Sequence, residues 1–155
     1  MSMLAARRFA ALLFVALPCA VSAQASRAAA TPAAAVEEFM RAVADSNLTR
    51  MSDLFGNAKG SASQTHLPKG YEKRMVIIQA MLRGVQAKAL GDVSNSKGDM
   101  RTVTAKLSHG PCTVTIPVNV VKASAGWLVH DFDDVEASKI NQPCEGSKRP
   151  GNLER

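Results

Sequence analysis

Residues 126–135, GWLVHDFDDV, set a histidine and three aspartates close behind the only tryptophan of the chain. An imidazole beside a carboxylate can take up and return a proton near neutral pH, provided burial and a positioned partner shift one of them toward that task. His130 and Asp131 are therefore where acid–base chemistry would be sought. The same stretch also reads as the last strand of a sheet. Its faces are Trp127, Val129 and Asp131 against Leu128, His130 and Phe132. Neither is wholly apolar, so the pattern leaves the buried face open. On the Leu128 face, His130 would sit part-buried between two hydrophobes. On the other, Asp131 would mark where the sheet meets water, with Asp133, Asp134 and Glu136 as a charged exit. Water screens carboxylates at such an exit and holds them near their ordinary range. The strand takes precedence, no residue is assigned a catalytic role, and His130→Ala is expected to leave any activity in place.

Other chemistry finds less support. His66 lies in a Gly- and Ser-rich loop without a neighbouring partner, and His109 lies in a His-Gly-Pro turn. His109 precedes Cys112 by three residues, but no second pair accompanies Cys144 to complete four metal ligands. There is no phosphate-cradling glycine loop with lysine and no nucleophile elbow, so neither metal nor cofactor is expected.

The first residues read as an address. Arg7 and Arg8 precede an apolar run from Phe9 to Leu17, too short to span a bilayer, and Val21-Ser22-Ala23 fits a small-x-small cleavage site. Residues 1–23 are expected to be a signal peptide, giving an exported chain, periplasmic or secreted. Cys19 offers a lipoprotein alternative, disfavoured because Leu17-Pro18 stands where a small residue normally precedes a lipidated cysteine. Cleavage removes two of the 19 basic residues and none of the 13 acidic ones, leaving a net charge of +4 on 132 residues. That length suits one domain with its own core. The remaining Lys and Arg are mostly scattered singly without interleaved aromatics, which argues against nucleic-acid binding. Cys112 and Cys144 are then the two thiols left, and in an exported chain they are expected to form one disulfide.

Positioning falls to helices, then strands. Residues 24–30 look like a flexible leader. Thr31-Pro32 caps a helix running to about residue 45, with Val36, Phe39, Met40 and Val43 on one stripe. Ser46 or Asn47 ends it and can cap a short second helix carrying Leu48, Met51, Leu54 and Phe55. Residues 56–70 form a long loop in which Pro68 prevents regular structure. A third helix over 71–83 carries Tyr71, Met75, Ile78 and Leu82 and stops at Gly84. The period then changes from 3.6 to 2, with aliphatics alternating at 85–89, 103–107 and 114–120. Turn signals at 95–99, 109–111 and 124–126 make the strands an antiparallel meander. Pro117 points to an edge or a bulge in the third strand. The fold class is α+β, with a domain over 31–145 and a disordered tail over 146–155.

Three amphipathic helices, the second reading NLTRMSDLF, followed by a four-strand meander ending in GW and alternating hydrophobes, resemble the NTF2-like (cystatin-like) superfamily, in particular its small exported members of unknown function. The resemblance covers roughly residues 32–133. It implies a curved sheet wrapped around the first helix as a cone, often with a small-molecule pocket, often dimerising through the outer face of the sheet. Catalytic members, the isomerases and dehydratases, use a pocket Asp or His as base and a Tyr or Asp donor. Carried onto this chain, that names His130 or Asp131 as base and Tyr71, the only tyrosine, as donor. No spacing ties them together, so Tyr71, His130 and Asp131 stand as candidate pocket residues. Many catalytic members also place strands between the second and third helices, where this chain has its loop. A non-catalytic binding or accessory domain is favoured over a small isomerase or dehydratase. Its partner would be an unknown small molecule or envelope protein, with no membrane span, and a homodimer through the sheet face is open.

Overall fold

The computed structural model describes residues 28–94 and 98–144, without the side chains of 92–94. The expected signal peptide, most of the leader, residues 95–97 of the 95–99 turn and the tail lie outside the described residues. Helix α1 (Pro32–Ala44) starts where the caps place it, with the Thr31 hydroxyl accepting from the Ala34 N–H at 3.1 Å, and buries Val36, Phe39, Met40 and Val43. Helix α2 (Leu48–Leu54) is capped by Asn47 and buries Met51 and Leu54.

The segment 56–70 departs from the expected loop. It folds into a small hairpin, β1 (Gly56–Asn57) and β2 (Gly60–Ser61), and a one-turn helix α3 (Ala62–Thr65). The small polar residues that read as loop signals bond to one another and to backbone. Ser63 donates to Asp53 at 2.6 Å, Thr65 donates to the Ser61 carbonyl at 2.8 Å, and Ser61 is buried. A side chain at Gly56 would come within 2.9 Å of the Ser61 Cα, so glycine is what lets the hairpin close. Helix α4 (Tyr71–Met81) then buries Tyr71, Met75 and Ile78, with Leu82 buried at its cap.

Strands β3 (Gln86–Ser94), β4 (Met100–His109), β5 (Cys112–Ala123) and β6 (Gly126–Phe132) form one antiparallel sheet in that order. The class is α+β, as the change of period implies. Val103, Ala105, Leu107, Ile116, Val118, Val120, Val129 and Phe132 face α1 and join one core. Pro117 lies in a central strand and pairs with Thr104, but the pairing of β5 with β6 stops at Val118–Phe132, so on that side Pro117 sits at a local edge. Proline's missing donor is tolerated where the neighbouring strand has stopped.

Each edge strand carries one extra residue. In β3, Ala89 pairs with Ala105 and Gly91 with Thr104, so Leu90 is inserted. In β6, Val129 pairs with Val120 and Asp131 with Asn119, so His130 is inserted. That bulge explains the mixed faces of GWLVHDF: Val129 and Phe132, three residues apart, both reach the main core, while Leu128 joins a small cluster on the other face with Val121 and Ala123.

Backbone covers the free side of β6. Ala29, the end of the expected flexible leader, is buried and pairs with Trp127 by two hydrogen bonds of 2.8 and 3.1 Å, and Phe55 bridges to Val129. Gly126, at φ 138°, admits this approach, since a Cβ there would lie 2.6 Å from the Ala29 carbonyl. After β6 the charged exit becomes a helix, α5 (Asp134–Ser138). Asp133 caps it by accepting from the Val135 and Glu136 N–H groups. A 3₁₀ turn (Lys139–Asn141) follows and buries Ile140. Cys112 and Cys144 form a disulfide with Cα atoms 5.7 Å apart. Closing a loop of 32 residues is worth about 3–4 kcal/mol in the chain-entropy model.

Candidate functional site

The convergence of charged groups around HDFDD is organised by a residue outside the stretch. Arg74, on α4, points across to the end of β6. Its Nη2 donates to Asp131 Oδ1 at 2.7 Å, to the Phe132 carbonyl at 3.3 Å and to Asp134 Oδ1 at 3.4 Å. The guanidinium carbon lies 5.4 Å from the Phe55 ring centre and 5.9 Å from that of Phe132, a cation–π arrangement on both rings. Its Nε is buried without a hydrogen-bond partner. Burial disfavours the charged guanidinium, yet the carboxylates of Asp131 and Asp134 outweigh it and hold the pKa above the ordinary arginine value.

His130, the bulged residue, is half-buried and bonded through Nδ1 to the Gly56 carbonyl at 2.8 Å. A carbonyl can only accept, so Nδ1 carries the proton. The imidazole thereby pins the β1–β2 hairpin against β6. Tyr71 is 8% exposed at the start of α4 and belongs to the core. Burial, then the Glu72 carboxylate, raise its phenol above the ordinary tyrosine pKa and keep it neutral. Among the described residues no hydrogen bond joins Tyr71 to His130 or Asp131. The structure thus sends His130 to the hairpin, Asp131 to Arg74 and Tyr71 into the core.

Sequence patterns missed Arg74. Its signal was available: in α4 it lies between Tyr71 and Ile78, on the edge of the buried stripe, where a cation needs a counter-charge. The Asp133–Glu136 spacing that caps α5 was legible too, as a capping box. Elsewhere, an open groove of about 500 Å³ is lined by His109, Pro111, Cys112, Ile140 and Pro143 beside the disulfide. No group of three or more His, Cys, Asp or Glu able to hold a metal occurs among the described residues. No helix among them is long and apolar enough to cross a membrane.

Helices packed on one face of a four-stranded antiparallel sheet, with the histidine and carboxylates at the end of β6 tied down by the chain's own groups, define a small α+β domain. The chain belongs to the family described as "Protein of unknown function (DUF2950)", which it matches over residues 26–140. A solved structure from Nostoc punctiforme PCC 73102, titled as a protein of unknown function with a cystatin-like fold, is similar to it at 14% sequence identity and a TM-score of 0.41. The similarity covers 68% of this chain and 95% of that one. No curated protein matches the chain.

Proposed function

We propose that the chain is an exported, non-catalytic binding or accessory domain of NTF2-like architecture. The domain spans 31–145 and follows a signal peptide over 1–23. The observation that carries this is engagement: His130 is held by the Gly56 carbonyl and Asp131 by Arg74. A base and a donor must converge on one substrate atom. Among the described residues no hydrogen bond joins His130, Asp131 and Tyr71, and the only tyrosine is buried in the core, so the three do not form a base–donor pair. Export is supported by the Val-Ser-Ala site and by the disulfide, a bond that persists in oxidising compartments.

Two measurements test the proposal. Mass spectrometry of the natural protein should find an N-terminus at Gln24 and no free thiol; a lipidated Cys19 in the membrane fraction counts against it. A ketosteroid isomerisation assay should show no turnover above that of the His130→Ala and Asp131→Asn variants. Turnover that either substitution abolishes would replace the proposal with an isomerase-type enzyme.

A further inference from the structure

We infer that the outer face of the sheet, centred on Lys88 and Lys106, docks an acidic protein segment; this deepens the binding proposal above and rests on it. The pairing register lays out three cross-strand rows on that face: Gln86–Ser108–Thr113, Lys88–Lys106–Thr115 and Gly91–Thr104–Pro117. Their neighbours in sequence, Ala105, Leu107 and Ile116, point the other way into the core, which fixes the face. Lys88 and Lys106 stand directly opposite each other and are both exposed. Directly opposed like charges disfavour the sheet they sit on, so the pair adds nothing to folding. The three rows contain no carboxylate to offset them. By register the nearest acid on this face is Asp131, in the row Thr102–Asn119–Asp131, and Arg74 already holds it; Glu37, which reaches the β3 edge from α1, is bonded to the Ala89 N–H.

The chemistry selects the occupant. A carboxylate set between two ammonium groups relieves their repulsion, and the flanking Ser and Thr hydroxyls can donate to its neighbours. A second copy of this chain is disfavoured, because a two-fold contact would bring four lysines together without a counter-charge. An anionic bilayer gains little from two lysines in rows whose largest apolar side chain is Pro117, since the Val121, Ala123 and Leu128 cluster farther along this face is buried. A saccharide would want an aromatic platform, which these rows lack. A side chain of Asp or Glu on an extended peptide meets both lysines across one inter-strand spacing, about 4.5–5.5 Å between Cβ atoms.

The test is binding of a short oligoglutamate peptide to the purified chain at low ionic strength, followed by calorimetry. Lys88→Gln/Lys106→Gln should weaken it by about five- to tenfold with the melting temperature unchanged or raised. Lys59→Gln/Lys69→Gln removes the same charge from exposed sites elsewhere and should leave binding unchanged. Equal losses in both pairs would mean attraction to net charge and would overturn the inference. So would a loss seen only with phosphatidylglycerol vesicles, which points to lipid, or a dimer in sedimentation that the Lys88/Lys106 pair of substitutions dissolves. Isomerase turnover by the unmodified chain fails the broader proposal in its own assay and leaves the peptide result readable.

Discussion

The two edges of the sheet carry the same backbone device with opposite outcomes. In β6 the extra residue, His130, is turned inward onto the Gly56 carbonyl, and the strand beyond it is held by Arg74. In β3 the extra residue, Leu90, is left 56% exposed, and the neighbouring Ala89 N–H is answered by the Glu37 carboxylate of α1 at 3.1 Å. Both devices manage an edge. Backbone from Ala29 and Phe55 covers β6, whereas β3 is interrupted by its bulge and met there by the Glu37 side chain. A histidine in a bulge beside carboxylates invites a catalytic role, since bulges are frequent near active sites. The comparison shows that the role follows from what lies against the bulge. His130 meets a hairpin carbonyl and becomes a fastener.

The comparison breaks most visibly at Arg74. Arg74→Ala leaves Asp131, Asp134 and the Phe132 carbonyl without their shared donor and uncovers two rings. Urea unfolding should show a loss of about 2–3 kcal/mol. Arg74→Lys, which keeps the charge but not the planar stack, should recover part of it. His130→Ala removes the donor to the buried Gly56 carbonyl and should cost about 1–2 kcal/mol. Amide exchange of the 56–61 hairpin should rise with it, and His130→Asn should partly restore protection. On the β3 side the effects shrink. Glu37→Ala should cost about 0.5–1 kcal/mol, because water can reach the Ala89 N–H in its place. Leu90→Ser should stay within about 0.5 kcal/mol by the same unfolding measurement. Equal losses at Leu90 and His130 would erase the distinction between a covered and an open bulge.

Part of this was legible in advance. The cap at Thr31-Pro32, a second cap at Ser46 or Asn47 that falls to Asn47, the apolar stripe of α1 and the alternation of β4 and β5 all depend on contacts within a few residues, and they appear where the pattern puts them. The GWLVHDF strand was legible as a strand but not in its faces. A single inserted residue shifts the phase of everything after it, and nothing local marks His130 as that residue. The 56–70 segment misled for a related reason. Serines and threonines signal loop when their partners are water, yet here the partners are Asp53 and nearby backbone.

By itself, then, the sequence determined the order and type of the major elements, the inward face of α1 and β5, and the pair of cysteines available to bond. Those features follow from periodicity and short-range capping, which a chain carries whatever its tertiary neighbours. Only the tertiary structure decided that His130 fastens a hairpin, that Arg74 takes up Asp131, and that Lys88 faces Lys106. Each is a meeting of side chains or strands whose partners were settled by register and helix packing. Shifting a strand pairing by one residue would send the strand-borne side chains among them, His130, Asp131, Lys88 and Lys106, to the opposite face.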